Sequence, residues 1–409
     1  MATRSGAACY FDIAQCGGSI CHTGCYINFE NQWASSFRAG NTALLVFISH
    51  HECSSPTDAS TRRSHPGASR FTPKDLESLP SAGKAYRRTA AGSSSRFWEI
   101  RASPGKGLGV FARVPISRGT QLMTEAPLFA VEPPEFYPGK GYKLDDMLAG
   151  ISNEVGRLSE DDRAVFEDCY EHLEEHEIAE PEAFTAETND DHQSDSVGSG
   201  EPAPLFTHAQ KLRHMRIFRT NAYMLPDERS AMFPLVARIN HSCAPNAANV
   251  WDDESGLRVI WASRDIARGE EIFVSYVPLL RDTPARRARL AQYGFVCGCE
   301  VCRAGDDGSG VKEDAKRRRL GRDLAEVEDA LEYGGEISAS RSRRMAKLAV
   351  KTAEELRGHG NGELWGYLEQ AYDLAAEFWA RTGDDETSEK WRAKAEEMRD
   401  LGNVRMKNG

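Results

Sequence analysis

The chain of 409 residues has no long apolar run and no excess of basic charge. Its longest apolar stretch, residues 43–48, is far shorter than the roughly 20 residues that a membrane-spanning helix needs. Acidic side chains outnumber basic ones by 62 to 51, which gives a formal net charge of −11. Because proteins hold nucleic acids largely through the phosphates, this charge argues against a broad nucleic-acid-binding surface. We expect no membrane and no direct nucleic-acid contact, and a basic protein tail is a more natural partner.

The start of the chain has no secretory pattern either. No apolar segment follows directly behind Met1, so we expect no signal peptide. A chain that stays in the nucleus or the cytoplasm meets a reducing environment, in which thiols bind metals more often than they form disulfides. We also expect a monomer.

Residues 1–96 show no sustained period of 2 or 3.6, and they are rich in Ser, Ala, Gly and Arg. This composition and the absence of a period predict a mostly disordered segment. Two interpretations remain open for its thiols, which could hold zinc or remain free. Their spacing matches no pair-of-pairs template, so free thiols are favoured. The group consists of Cys9, Cys16, Cys21, Cys25 and Cys53 with His22.

From residue 97 onward, short apolar runs alternate with Gly and Pro, which predicts small strands joined by tight turns. Gly105, Gly107 and Gly109 lack the spacing of a dinucleotide loop, and Pro115 excludes the long helix that such a loop needs. A loop whose bare backbone approaches a ligand is the better interpretation. Residues 132–216 form a predicted helical insertion with an acidic, mobile part at 187–201. Helical periodicity returns after residue 311.

Most of the chemistry is concentrated in three segments. Residues 238–246 read Arg-Ile-Asn-His-Ser-Cys-Ala-Pro-Asn, and residues 269–276 read Gly-Glu-Glu-Ile-Phe-Val-Ser-Tyr. Residues 297–302 read Cys-Gly-Cys-Glu-Val-Cys. One cysteine in the first segment and three in the last could form a tetrathiolate, the ligand set of a closed structural zinc site. The alternative is a set of buried thiols without a metal.

These segments resemble the SET-domain lysine methyltransferases, which carry Asn-His-Ser-Cys-x-Pro-Asn, Gly-Glu-Glu-x-x-x-x-Tyr and Cys-x-Cys-x-x-Cys in this order. A fourth family element is similar to residues 105–112, Gly-Lys-Gly-Leu-Gly-Val-Phe-Ala. The resemblance covers residues 97–303 and is strongest to the SET-and-MYND branch. The zinc-bound MYND module of that branch needs seven Cys and one His. Only Cys169 lies between residues 133 and 216, so we expect the module to be absent, as in SET proteins common in fungi.

The resemblance implies an α+β chain. It places a SET β-fold, pseudoknotted in known relatives, at residues 97–280 around the insertion. A zinc-bound post-SET segment would follow at 281–305, and an α-helical, TPR-like C-terminal domain at 311–409.

The implied function is S-adenosyl-L-methionine-dependent methylation of a lysine ε-amine in a histone or another protein. The alternative is a catalytically weak SET scaffold that recruits other proteins. The resemblance assigns roles in three groups. Catalytic and channel residues are Tyr276, Tyr293 and Phe218, whose simpler interpretation is ordinary aromatic core. The cofactor would be held by Lys106, Gly107, Leu108, Asn240, His241, Tyr276 and Phe295. Structural Zn(II) would be held by Cys243, Cys297, Cys299 and Cys302.

Overall fold

The computed structural model describes residues 26–27, 95–137, 141–173, 205–332, 335, 337–358 and 364–403. The predicted disorder of residues 1–96 therefore falls almost wholly outside the described residues, and so do the five N-terminal cysteines. Residues 26–27 are an exception, because they pair as a short strand with residues 142–143.

Thirteen strands occur in the part of the chain that the structure describes, and they form four small sheets. They are β1 (Tyr26–Ile27), β2 (Trp98–Ser103), β3 (Gly107–Ala112), β4 (Gln121–Glu125), β5 (Ala130–Val131), β6 (Phe136–Tyr137), β7 (Gly141–Lys143), β8 (Ala222–Met224), β9 (Ser230–Met232), β10 (Asn240–His241), β11 (Ala247–Asp252), β12 (Leu257–Ala262) and β13 (Glu271–Val274). The sheets have the orders β10-β13-β3-β2, β11-β12-β4, β5-β9-β8 and β1-β7-β6.

Nine α-helices accompany these strands within the same described ranges. They are α1 (Leu144–Arg157), α2 (Glu160–Glu167), α3 (His208–Asn221), α4 (Thr283–Leu290), α5 (Glu300–Asp306), α6 (Val311–Glu332), α7 (Ala339–Arg357), α8 (Trp365–Ala380) and α9 (Asp385–Asn403). The mixed α+β class expected from the sequence is confirmed. None of these helices combines the length and the apolar character that crossing a bilayer requires.

The four-stranded sheet determines where the site lies. Strand β3 pairs antiparallel with β2 on one side and with β13 on the other. Strand β10 then pairs parallel with β13, so that Asn240 lies opposite Phe273 and His241 opposite Val274. The hairpin β11–β12 fills the connection between these two parallel strands. Residues 33 positions apart in sequence are therefore neighbours in one sheet.

A buried amide holds the segment after β10 in place. Asn246 has no solvent exposure, and its Nδ2 donates to the backbone oxygen of Glu271 at 2.9 Å and to Glu270 Oε1 at 3.0 Å. Its Oδ1 accepts the N–H of Phe273 at 2.7 Å. The side chain thus occupies the place that an additional strand would take along β13, and it satisfies backbone groups whose burial without partners would be costly.

Three helices, α1 to α3, lie within or across the end of the predicted insertion at residues 132–216. Helix α3 begins at a capping box between Thr207 and Gln210 and continues to Asn221. The Asn221 amide then donates to the carbonyls of Tyr170 and Ile217, both at 2.7 Å. The additional turn carries apolar side chains into a core that α1 and α2 share, which contains Phe129, Ile151, Val155, Phe166, Ile217 and Phe218.

The C-terminal helices share one core with the sheet and the cysteine tail. Trp365 of α8 packs on Trp261 of β12 with ring centroids 4.5 Å apart. The Leu279 N–H donates to the Tyr367 hydroxyl at 2.9 Å. Arg317 of α6 reaches the carbonyl of Cys243 at 3.3 Å. The helices are therefore packed directly against the site, whereas their likeness to TPR repeats stays a prediction.

This shared core makes Trp365→Ala a direct test of the packing. Trp365 is 8% exposed and Trp261 is 2% exposed, so the substitution leaves a cavity between helix and sheet. We expect the free energy of unfolding to fall by roughly 3–5 kcal/mol in chemical denaturation. Val296→Ala is the control, since Val296 is 76% exposed and its loss should change the value by no more than about 0.5 kcal/mol. Equal stability of the two variants would contradict the shared core.

Candidate functional site

The hairpin between β2 and β3 forms one wall of the candidate site. Gly105 and Gly107 adopt φ values of +72° and +74°, which few other residues tolerate, and no atom would meet a side chain at either position. The Lys106 N–H closes the turn on Ser103 O at 3.0 Å. Leu108 follows with 45% of its surface exposed. The tip therefore presents bare backbone to solvent beside strand β10.

Glu271 organises the polar floor behind this hairpin. Its Oε1 accepts from Asn240 Nδ2 at 2.7 Å, and its Oε2 accepts from Ser103 Oγ at 3.0 Å. Lys106 Nζ lies 3.2 Å from the same Oε2 and 4.3 Å above the ring of Phe273. Sequence reasoning gave Glu271 no role, although it lies in the Gly-Glu-Glu segment. It fixes the side chain that the resemblance assigned to the cofactor.

The orientation of Asn240 follows from these contacts. Its Nδ2 donates one hydrogen to Glu271 and the other to Leu108 O at 3.0 Å. An amide nitrogen has only two hydrogens to donate. The oxygen Oδ1 is thus left as the acceptor with capacity for a ligand, and a positively charged donor such as an ammonium group suits it.

His241 connects two parts of the site through its two ring nitrogens. Nδ1 accepts the N–H of Tyr276 at 3.0 Å, so the ring proton lies on Nε2, which is 3.3 Å from Cys243 Sγ. Burial lowers the pKa of His241 to about 3, with smaller effects from Cys299, Arg286 and Lys106. The imidazole is therefore neutral at physiological pH, with a single tautomer.

The aromatic side chains near Tyr276 form a group. Its ring centroid lies 5.1 Å from that of Tyr293 and 6.4 Å from that of Phe295. Its hydroxyl donates to Ile239 O at 2.7 Å. Loss of solvent raises the pKa of Tyr276 well above its ordinary value, and burial raises the pKa of Tyr293 to about 12. Both hydroxyls keep their protons at neutral pH and can orient a ligand, but neither serves as a base.

Four thiols meet next to His241. The Sγ atoms of Cys243, Cys297, Cys299 and Cys302 all lie within 4.8 Å of one another, and Cys243 and Cys302 approach to 3.5 Å. In a tetrahedral zinc tetrathiolate with Zn–S bonds of about 2.3 Å, sulfur atoms are about 3.8 Å apart. All four are free thiols in the structure. The number, type and spacing of these ligands fit a closed structural metal site.

Comparison with known protein families agrees with the resemblance seen in the sequence motifs. Residues 107–277 match the model of the SET domain, and this range contains the hairpin, Asn240, His241, Glu271 and Tyr276. Residues 107–277 are a SET domain.

The chain that contains this SET domain is similar to proteins named as lysine methyltransferases. It is 24% identical over 227 residues to histone-lysine N-methyltransferase set5 of Schizosaccharomyces pombe, covering 55% of this chain and 56% of the relative. It is 34% identical over 143 residues to N-lysine methyltransferase SMYD2 of Gallus gallus, covering 34% and 29%. The chain thus spans from under a third to about half the length of these relatives. The resemblance to the SET-and-MYND branch is confirmed.

A solved structure, Rubisco LSMT bound to AdoMet, is similar over 80% of this chain and 94% of that chain. The sequence identity is 15% and the TM-score is 0.32. Likeness at this level supports no statement about what this chain binds.

Phe218 lies apart from the other residues that the resemblance assigned to the site. It is buried in the insertion core, stacked on Phe129 with centroids 5.7 Å apart. The placement does not support a channel role, because the additional turn of α3 directs this face toward α1 and α2.

Tyr223, five residues later on β8, lies in the core cluster against which Tyr276 packs. Burial raises its pKa, and it interacts electrostatically with Tyr293 and Tyr276. The only sequence signal for Tyr223 was its position just after helix α3.

Gly109 tests how tightly the floor of the site is packed. A Cβ at this position would lie 2.5 Å from Glu271 Oε1 and 2.9 Å from Asn240 Nδ2. We expect Gly109→Ala to lower the free energy of unfolding by roughly 1–3 kcal/mol, because both polar groups must move. The control is Gly150→Ala inside α1, where the nearest atom is 3.4 Å away and alanine should stabilise by up to about 1 kcal/mol. Chemical denaturation measures both, and an equally tolerated Gly109→Ala would contradict the close packing.

Proposed function

We propose that the protein transfers a methyl group from S-adenosyl-L-methionine to the ε-amine of a lysine in a protein substrate. The observation that carries the proposal is the joining of three elements at His241. Its imidazole binds the backbone of Tyr276, its strand neighbour Asn240 presents a free acceptor, and its other nitrogen reaches the thiol cluster. The matched relatives, which are named histone-lysine and N-lysine methyltransferases, support the reaction class.

The cofactor site in this proposal lies between the hairpin tip and β10. S-adenosyl-L-methionine supplies an activated methyl group when bound. Asn240 Oδ1 would accept from its ammonium group, since both hydrogens of Nδ2 are already used. The bare backbone of Lys106, Gly107 and Leu108 would bind the methionine end. The backbone of His241 and the ring of Phe295 would hold the adenine.

The lysine must lose its proton before it can act as a nucleophile. A free lysine amine has a pKa of about 10.4, so only about one molecule in a thousand or fewer is neutral at pH 7. Desolvation disfavours the charged form, and the rings of Tyr276, Tyr293 and Tyr223 provide such surroundings. Tyr276 keeps its own proton. In the proposal its hydroxyl orients the neutral amine and does not remove the proton, which passes to solvent.

The four cysteines would hold one structural Zn(II). Four thiolates complete a tetrahedron, so no position remains open for a catalytic water. The metal would connect the tail that carries Tyr293 and Phe295 to the segment that carries Asn240 and His241. Zinc would therefore assemble the site without taking part in the transfer.

The substrate class follows from charge and remains broad. The chain is acidic, with a net charge of −11, which suits a basic substrate such as a histone tail. A lysine of another nuclear or cytoplasmic protein, for example a translation factor, fits equally. Transfer of labelled methyl groups into a whole-cell lysate, followed by mass spectrometry, identifies the target.

Tyr276→Phe separates catalysis from binding. The ring remains, so the stability should change by no more than about 1 kcal/mol, the value of one hydrogen bond. Loss of a group that orients the nucleophile should lower turnover roughly 10²-fold or more, with little effect on the affinity for S-adenosyl-L-methionine. Asn240→Ala is the matched variant and should mainly weaken that affinity in calorimetry. Wild-type turnover of Tyr276→Phe contradicts its role. A wild-type chain that does not bind the cofactor indicates the scaffold alternative.

Zinc content tests the metal site. Elemental analysis should find about one zinc per chain, because only one set of four thiols among the described residues has closed-site geometry. Cys302→Ser should lose most of this metal. Cys169→Ser should keep it, since Cys169 is a buried free thiol whose Sγ contacts Val165 O instead. Folded wild-type protein without zinc contradicts the assignment.

A further inference from the structure

Arg286 of α4 is a buried cation that sequence reasoning left without a role. Its side chain has 0% exposure, and two of its nitrogens face the thiol cluster. Nε lies 3.3 Å from Cys243 Sγ, and Nη2 lies 4.0 Å from Cys302 Sγ. The N–H groups of a guanidinium can only donate. The sulfur atoms that they face must therefore be acceptors.

The remaining contacts hold the guanidinium in one orientation. Nη2 donates to Thr283 Oγ1 at 2.9 Å, and Nη1 donates to Arg281 O. Nη1 also lies 3.4 Å from Asp314 Oδ1, at the beginning of α6. This carboxylate also accepts from Thr283, from its N–H at 3.0 Å and from its hydroxyl at 3.1 Å. A single shared oxygen at 3.4 Å is a weak partner for a fully buried arginine.

The charges explain why an arginine is placed here. Burying a cation without compensation costs several kcal/mol. Four thiolates around one divalent ion carry a net charge of −2, which has the same need for compensation. With the metal bound, each group would offset the burial cost of the other, and the N–H···S contacts would be charge-assisted hydrogen bonds.

We propose that Arg286 is a positioning residue of the metal site, which compensates the charge of the four thiolates and retains the metal by donating to Cys243. The inference rests on the zinc site of the proposed function. It adds that metal retention depends on a residue that is not a ligand.

Cys243 receives a second donor from the opposite side. His241 Nε2 lies 3.3 Å from the same Sγ. Hydrogen bonds withdraw electron density from a thiolate, so two donors make Cys243 a weak nucleophile and a poor acceptor of additional protons. Cys299 is the only one of the four that is not buried. Release of the metal should therefore begin at the tail, while Arg286 and His241 hold Cys243.

The experiment compares zinc release from full-length variants to a chromophoric chelator. Arg286→Met keeps the length of the side chain but removes its charge and its donors. We expect release about 10–100-fold faster than from the wild type, as for other residues that support metal ligands. Arg286→Lys keeps the charge without the fork of donors and should release zinc at an intermediate rate. In the cobalt-substituted protein, the sulfur-to-cobalt charge-transfer band of Arg286→Met should move to lower energy.

Arg318→Met is the matched control. Arg318 bridges the same two helices through Asp282 Oδ2 at 3.1 Å but is 53% exposed, so its zinc release and cobalt spectrum should equal those of the wild type. If Arg286→Met does not fold, Arg286→Met/Asp314→Asn removes the carboxylate that would be left without its cation and gives the same readouts. Wild-type release and a wild-type cobalt band in the folded variants overturn the inference. Wild-type protein that binds neither zinc nor cobalt overturns the metal site itself.

Discussion

The pairing of residues 240–246 with strand β13 is the constraint on which the rest of the site depends. The pair is held by backbone hydrogen bonds in parallel register and by the buried amide of Asn246. On one side it places Asn240 against Glu271 and the hairpin. On the other side it places His241 against the backbone of Tyr276. Any ligand that contacts both motifs depends on this one register, because a shift by one residue would reverse the side chains on the strand.

A second layer of structure surrounds this pair. The cysteine tail, strand β12 and the C-terminal helices bury their apolar side chains in one cluster, joined by Trp261 and Trp365. Buried arginines cross the same boundary, and Arg317 donates to carbonyls of the segments around Cys243 and Leu279. The helices therefore stabilise the position of the tail, and the tail carries Tyr293 and Phe295 to the site. Stability and function share these contacts.

Short motifs made much of the site predictable. Asn240, His241, Tyr276 and the four cysteines lie in segments whose residue types follow directly from the contacts they make, and the structure brings them together. The strands at 98–103 and 107–112 and the helix at 365–380 also follow from local periodicity. The burial of Phe218 in the insertion core depends on the end of α3, which is set by the Asn221 amide and by packing against α1. The position of Tyr223 in the cluster against which Tyr276 packs depends on the same helix end.

The sequence by itself determined the α+β class, the helical insertion, and the identity of the polar and thiol groups that meet at the site. Helical period predicted the insertion, whereas the class and the groups at the site were implied by short motifs that resemble those of the SET family. Only the tertiary structure decided that Glu271 orients Asn240, that His241 connects Tyr276 to Cys243, and that Arg286 faces the thiols. The first contact joins positions 31 residues apart and the last joins positions 43 residues apart, and burial strengthens both. No local pattern encodes which distant partner a buried polar group will find.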